Sequence, residues 1–161
     1  GRLSEEKGVR SLLEAASKVK HELRVAGGGP LTDELKVKYA HCPNIKFLGH
    51  LDAHGVASLL SQAKCSVMPS VCYENNPLGV IESLCAGTPV VGANIGGIPE
   101  LISADTGIIF ESGNAEALAT GIDMAMSRTW HHPDIKAKSI SRFSPESHLK
   151  ILANIYSAAT S

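Results

Sequence analysis

Residues 69–91 read PSVCYENNPLGVIESLCAGTPVV, and this stretch decides the fold. A short apolar run ends at Met68, a polar loop follows, and a helical pattern then covers Pro77–Ala86. Gly87 ends that helix, and a second apolar run begins at Pro89. A strand, a helix and a second strand joined by short connections predict a βαβ unit, in which the two strands are parallel.

The same alternation extends through the rest of the chain. The predicted helices are Glu5–Lys20, Thr32–His41, Ala53–Gln62, Ala115–Met126 and Pro145–Ala158, the last with Ser144 as its N-cap. The predicted strands are His21–Ala26, Asn44–Leu48, Cys65–Met68, Pro89–Gly92 and Ile108–Phe110. This order predicts an α/β fold with a doubly wound, Rossmann-like parallel sheet. Ligands of such sheets bind beyond the carboxyl ends of the strands.

Length and composition narrow the function classes. The chain has 161 residues, enough for one domain, and 43% of them are hydrophobic, which is ordinary for a globular protein. The net charge is −1, so the basic excess of a nucleic-acid-binding protein is missing. No apolar run approaches the roughly 20 residues of a membrane span. The charged opening residues do not resemble a signal peptide, and a cytoplasmic location is expected.

Cysteine and histidine spacing predicts no metal site. The cysteines form no CxxC pair, and buried reduced thiols are the expected state of Cys42, Cys65, Cys72 and Cys85. His131 and His132 are adjacent but have no third ligand close by, so a polar loop is expected there.

The chain opens with only Gly1-Arg2-Leu3 before the first helical pattern. A doubly wound domain normally begins with a strand. We therefore expect residues 1–161 to be one domain cut from a longer protein, without most of its first strand.

The start of the helix near Pro77 is a candidate anion site. Proline suits the first helical turn, and Asn75 and Asn76 are plausible caps. Free N–H groups and the positive end of the helix dipole would then point into the cleft.

Two carboxylates, Glu74 and Glu82, flank this candidate site. Glu82 interrupts an apolar helix that is expected to be buried, so its side chain needs polar partners. The vicinal hydroxyls of a ribose are one possibility. A surface ion pair with Lys or Arg is the other, and the helix pattern alone does not decide between them.

Three further features remain open on the residues alone. The loop Gly27-Gly28-Gly29-Pro30 either brings backbone close to a ligand or is a tight turn. Arg2 and Lys7 either neutralise a diphosphate or are surface charges. Gly96-Gly97, before Ile98-Pro99-Glu100, either lines the cleft or is a turn.

The order of these features resembles the C-terminal domain of the retaining glycosyltransferases of family 4, which have the GT-B fold. The matching residues run from Gly1 to about residue 126. They are Gly1-Arg2-Leu3, Lys7-Gly8, Gly27-Gly28-Gly29-Pro30, Phe47-Leu48-Gly49, Pro69-Ser70, Glu74, Glu82, Gly87-Thr88-Pro89-Val90-Val91 and Gly96-Gly97. The paired glutamates, followed by Gly-Thr-Pro-Val-Val, make the resemblance strong. Ser83 departs from it, because alanine is common there.

The resemblance implies roles for the matching residues. Arg2 and Lys7 would bind the diphosphate of a nucleotide sugar, Glu82 the ribose hydroxyls, and Glu74 the hydroxyls of the transferred sugar. Donor contacts are also implied at Gly28, Gly29, Leu48, Asn76, Pro77, Leu78 and Gly79, with the base near Leu48, Gly49 and His50. No metal or other cofactor is expected.

The same resemblance implies a partner domain and an acceptor. The acceptor, a glycan or lipid-linked glycan, would bind an N-terminal domain that also completes the cleft and could touch the membrane. The chain alone is then expected to bind nucleotide weakly and not to transfer sugar. A UDP-sugar epimerase of the same architecture and a silent scaffold domain are the alternative functions.

Overall fold

Five β-strands alternate with α-helices in residues 1–159, the part of the chain that the computed structural model describes. A 3₁₀ turn, Glu5–Lys7, comes first. The elements that follow are α1 (Val9–Lys18), β1 (Leu23–Ala26), α2 (Thr32–Lys38), β2 (Ile45–Gly49), α3 (Ala53–Gln62), β3 (Ser66–Met68), α4 (Leu78–Ala86), β4 (Val90–Ala93), α5 (Ile98–Leu101), β5 (Gly107–Phe110), α6 (Ala115–Ser127), α7 (His132–Arg142) and α8 (Pro145–Ala159).

All the strand pairs are parallel, which confirms the predicted fold class. β1 pairs with β2, and β4 lies between β3 and β5. Pairing therefore divides the described strands into a sheet of two and a sheet of three. Because parallel strands need crossover connections, a helix follows each of β1, β2, β3 and β4.

Helix α1 joins the two sheets into one folded unit. Leu12 and Ala15 on this helix pack into the core around β3, β4 and β5, whereas Leu13 and Ala16 pack into the core around β1 and β2. Leu23 of β1 contacts both cores. The three- and four-residue spacing of these side chains places the two groups side by side on α1.

The N-terminal segment links β1 with the loop after β3, and each of these two strands has one unpaired edge in the described chain. The Gly1 amino group donates to the carbonyl of Ala26 at 2.6 Å, and the Leu3 amide donates to the carbonyl of Gly28 at 3.0 Å. On the other side, the amide of Val71 donates to the carbonyl of Glu6 at 3.0 Å. No strand pairs with these two edges within residues 1–159.

The first predicted helix, Glu5–Lys20, is interrupted. Gly8 has a φ of 65° and ends the 3₁₀ turn, so α1 begins only at Val9. A Cβ on Gly8 would lie 1.8 Å from the carbonyl oxygen of Pro69. The close approach of two loops, which helical periodicity cannot show, therefore breaks the helix here.

The prediction of a polar loop at His131–His132 is wrong, because His132 begins helix α7. Only Ile135 and Ser139 of this helix are buried, so its apolar signal is weak. Pro133 in its first turn was the available indication. The capping role of Ser144 is confirmed, since its hydroxyl accepts from the Ser147 amide at 3.1 Å.

The cysteines are free and half-buried in the described chain. Burial raises the pKa of the Cys65 thiol to about 11 and also raises that of Cys85. Both are therefore protonated at neutral pH, consistent with reduced structural thiols.

Ser83 carries a buried hydrogen-bond bridge. Its hydroxyl donates to the carbonyl of Thr88 at 2.9 Å, so it accepts from the hydroxyl of Ser66, 2.7 Å away. The bridge connects β3, α4 and the turn before β4. The departure from alanine at this position thus has a structural role.

Candidate functional site

The candidate site lies where the strands end. β1, β2 and β3 end at Ala26, Gly49 and Met68, and residues 1–7 run along the same edge as these ends. Parallel strands place their carboxyl ends together, so the sequence-predicted residues from distant parts of the chain are brought to one edge.

Lys7 is held against the loop that follows β3. The glycine after it packs on Pro69, and the hydrogen bond between Val71 and Glu6 secures the same junction. The Lys7 Nζ then reaches Oε1 of Glu74 at 2.5 Å. These two residues are 67 positions apart in sequence.

Glu74 is fixed by two side-chain donors. Its Oε1 accepts from Lys7 and from the hydroxyl of Ser70 at 2.9 Å, and Ser70 is only 1% exposed. Glu74 itself has 18% of its side chain exposed, and Lys7 has 40%. The hydrogen bond with Glu74 raises the pKa of Lys7, and the same bond lowers the pKa of Glu74. Both groups are therefore charged at neutral pH.

The Gly96–Gly97 segment is a turn that supports the backbone of Glu74. The amide of Gly97 donates to the Glu74 carbonyl at 2.6 Å. A Cβ on Gly96 would lie 2.6 Å from the Glu74 nitrogen, and one on Gly97 would lie 2.5 Å from the carbonyl oxygen of Asn75. Two glycines are needed here because the backbone of this turn lies directly against the backbone of Glu74 and Asn75.

The start of α4 differs from the prediction at its cap. Pro77, rather than Asn75 or Asn76, is the N-cap, and no side chain of the described residues caps this helix. Proline offers no side-chain acceptor, so the N–H groups of Leu78 and Gly79 remain available to a ligand. Leu78 is exposed, whereas Gly79 lies against the Met68 side chain.

Glu82 lies on an exposed face of α4, which corrects the expectation that the helix buries it. Val80, Ser83 and Leu84 take the buried positions. Glu82 forms no ion pair within the described residues either, so the alternative of a surface pair is also not observed. Burial lowers the pKa of the Gly1 amino group, and the Glu82 carboxylate opposes that shift, which places Glu82 close to the N-terminal segment.

A cavity of about 350 Å³ opens beside this segment. Its lining is Gly1, Arg2, Ala26, Gly27, Gly28, His50, Leu51 and Val56. The structure thus places Arg2 and Gly28 in one cavity with His50. Leu48 is exposed and outside this lining, and Gly29 packs against the Leu3 backbone.

Leu51 and Val56 were missed by sequence reasoning. Asp52 caps α3 by accepting from the Gly55 amide at 2.7 Å, and this cap fixes how α3 leaves the strand edge. The Asp-x-x-Gly pattern was the available signal. In residues 1–159, no cluster of three or more His, Cys, Asp or Glu residues is arranged to hold a metal ion. No helix in that range is long and apolar enough to cross a membrane.

Comparison with known proteins assigns the family. Residues 1–128 match the family model for glycosyl transferases group 1. The chain belongs to the group 1 glycosyltransferases. It is 30% identical over 171 aligned positions to an uncharacterized glycosyltransferase of Methanocaldococcus jannaschii, covering 99% of this chain and 44% of that protein.

The name of a second relative states an activity. This GDP-mannose-dependent alpha-(1-6)-phosphatidylinositol dimannoside mannosyltransferase of Mycobacterium tuberculosis is 35% identical over 138 residues. The match covers 82% of this chain and 35% of that enzyme. This glycosyltransferase chain therefore spans less than half the length of both relatives.

The fold of this group 1 chain is that of a GT-B half. The crystal structure of Anabaena HepE in complex with UDP superposes with a TM-score of 0.81 at 22% identity. The superposition covers 98% of this chain and 47% of HepE. The predicted GT-B architecture is confirmed.

Proposed function

We propose that this chain is the donor-binding domain of a retaining glycosyltransferase of family 4. The whole protein would transfer a hexose-type sugar from a nucleotide diphosphate sugar to a glycan or lipid-linked acceptor. The observation that carries the proposal is the Lys7–Glu74 contact beside the uncapped start of α4. A diphosphate sugar needs a cation and free amides for its phosphates and a carboxylate for its sugar hydroxyls, all within one site.

The diphosphate is assigned to Arg2, Lys7 and the first turn of α4. Arg2 is exposed and has no ion-pair partner within the described residues, so its guanidinium is available to an anion. The amides of Leu78 and Gly79 add the dipole of the helix start. Together these groups would stabilise the negative charge that develops on the leaving phosphate, so this domain's contribution to catalysis is electrostatic.

The nucleoside is assigned to the cavity beside Arg2. Its volume of about 350 Å³ falls in the range of small-molecule sites, and Leu51 and Val56 give it apolar walls. Glu82, exposed near the N-terminal segment, would accept from both ribose hydroxyls. The exposed position favours this role because no protein group occupies the carboxylate.

The transferred sugar is assigned to Glu74. Its second oxygen, Oε2, accepts from no group of the described residues, and a sugar hydroxyl can donate to it. Glu74 is thus a donor-holding residue and not one member of an acid and base pair. HepE was crystallised with UDP and the mycobacterial relative uses GDP-mannose, so both bases belong in the test.

The domain organisation and location follow from the same proposal. We propose that a parallel strand precedes Gly1 and fills the space between β1 and β3, since both edges are unpaired in the described chain. An N-terminal acceptor domain would come before that strand. The protein would act in the cytoplasm, with any membrane contact made by the acceptor domain.

Calorimetric titration with UDP, GDP and ADP tests the proposed function. We expect one of the three to bind the folded chain, and Lys7→Met to weaken that binding, because the diphosphate loses a cation. Lys150→Met, in α8, is the control and should bind as the unaltered chain does. Absence of binding to all three nucleotides would favour a scaffold domain. Sugar transfer by the chain alone would contradict its proposed role as half of a catalytic cleft.

A further inference from the structure

We infer that the Lys7–Glu74 ion pair makes this site favour the intact nucleotide sugar over the nucleoside diphosphate that remains after transfer. The inference rests on the proposed function. Glu74 competes with a bound phosphate for the ammonium of Lys7. When the ion pair opens, only a ligand that carries a sugar supplies new partners to both side chains.

The geometry shows why Lys7 has a competitor. Its ammonium donates to Glu74 Oε1 at 2.5 Å, in a contact where Glu74 is only 18% exposed. A phosphate that recruits Lys7 must weaken this contact. A carboxylate in such partly buried surroundings that loses its counter-charge is costly, because little water reaches it.

Ser70 alone does not compensate Glu74. Its buried hydroxyl supplies one hydrogen bond at 2.9 Å and no charge. A nucleoside diphosphate thus takes Lys7 and leaves Glu74 with one neutral donor. The sugar of an intact donor adds hydroxyl donors to the carboxylate, beginning with the open Oε2.

The consequence is a difference between substrate and product. With the sugar in place, Lys7 moves to the phosphate and Glu74 is satisfied by hydroxyls. Once the sugar has been transferred, Glu74 loses these donors and attracts Lys7 back from the diphosphate. The re-formed ion pair then promotes release of the spent nucleotide.

Glu6 provides a matched control for this exchange. It is exposed and adjacent to Lys7 in sequence, and its charge also acts on Lys7. Its side chain, however, accepts from Ser4 at 2.7 Å and not from Lys7. Glu6→Gln therefore removes one negative charge near Lys7 but no carboxylate that binds Lys7. Glu74→Gln removes the negative charge and the carboxylate that competes with phosphate for Lys7.

The experiment is calorimetric titration of the 161-residue chain and these two variants. The ligands are the nucleoside diphosphate that binds in the UDP, GDP and ADP series and its glucose-linked form. We expect Glu74→Gln to bind the diphosphate about threefold more tightly than Glu6→Gln does, the scale of a partly exposed ion pair. It should bind the glucose-linked form no more tightly than the unaltered chain.

A second measurement uses the unaltered chain, so its result does not depend on whether the variants fold. The carboxyl ¹³C resonance of Glu74 is titrated with pH in each bound state. We expect a higher Glu74 pKa with the diphosphate than with the glucose-linked form. Equal diphosphate affinities of the two variants, or equal Glu74 pKa values in the two complexes, would overturn the inference alone. Failure of every nucleotide to bind would remove the proposed function and the inference with it.

Discussion

The amide of Gly97 donates to the carbonyl of Glu74 at 2.6 Å, so the turn before α5 holds the loop that carries the candidate sugar-binding carboxylate. Ser70 holds the same residue through its side chain. Glu74 is therefore positioned from two directions, by backbone and by a buried hydroxyl. This double support is typical of a group whose placement matters for binding.

Gly97→Ala should displace that loop. The new Cβ would lie 2.5 Å from the Asn75 carbonyl oxygen, so backbone must move. We expect weaker binding of a nucleotide sugar and a smaller effect on the nucleoside diphosphate, because the proposed function assigns Glu74 to the sugar. Calorimetry measures both affinities.

Gly113→Ala is the control for Gly97→Ala. Gly113 has a φ of 78° and open space around it, so alanine there costs about 1–2 kcal/mol of backbone strain while its Cβ meets no atom within 4 Å. Its unfolding midpoint should fall while its affinities stay unchanged. An equal loss of both affinities in Gly97→Ala would contradict the sugar-facing role of Glu74.

Stability should depend on pH through the Lys7–Glu74 pair. The lowered pKa of Glu74 means that its contribution is present above the ordinary value of about 4.3 and is lost as pH falls through the lowered one. The raised pKa of Lys7 means that its contribution is present below about 10.4 and is lost as pH rises through the raised one. The pair therefore stabilises between about pH 5 and pH 10.

Urea unfolding of the unaltered chain and Glu74→Gln checks this window. Since Lys7 is 40% exposed, we expect a difference of no more than about 1 kcal/mol at pH 7, decreasing in acid. Glu100→Gln, at an exposed carboxylate without an ion pair in the described chain, should show no such pH dependence. A difference between the chain and Glu74→Gln that persists unchanged in strong acid would exclude the ion pair as its cause.

Ser83→Ala should lower the free energy of unfolding by about 1–3 kcal/mol, since Ser66 and the Thr88 carbonyl lose a buried partner. Adding Ser66→Ala should cost less than the sum of the two single changes, because the orphaned hydroxyl is removed. Denaturant unfolding of the unaltered chain, the two single variants and the double variant gives a double-mutant cycle. Strict additivity would show that the hydrogen bond between Ser66 and Ser83 contributes nothing. Nucleotide affinity should stay unchanged in all three variants.

If the proposed strand precedes Gly1, a chain extended to include it should have a more stable fold. A parallel strand there would pair with β1 and β3 together. We expect a higher unfolding midpoint and stronger hydrogen-exchange protection of amides in Leu23–Ala26 and Ser66–Met68. Protection that is unchanged in both strands would contradict the proposed central strand.

Much of the fold could be predicted from local pattern. α3 begins and ends where the sequence predicts, and the five strands lie within two residues of their predicted ends, because short apolar runs between turn residues are strong signals. α7 was missed since only two of its side chains are buried. The break at Gly8 depends on Pro69, a contact far along the chain that no local pattern contains.

The sequence predicted a set of candidate residues for the site but not the contacts among them. Motif order placed Lys7, Glu74 and Glu82 in one site. It could not show that Lys7 and Glu74 bind each other, that Glu82 is exposed, or that Leu51 and Val56 line the cavity. Such relationships arise when distant segments meet at the strand edge, and they need three-dimensional structure.

The most direct test of the central claim is amide chemical-shift mapping of the nucleoside diphosphate on this chain. The shifts should concentrate at Arg2, Lys7, Gly28, Leu51 and the first turn of α4. Lys64 and His132, which line a different cavity, should be unaffected. Shifts centred on Lys64 and His132, or no shifts with any of UDP, GDP and ADP, would contradict the assignment of this chain as a donor-binding domain.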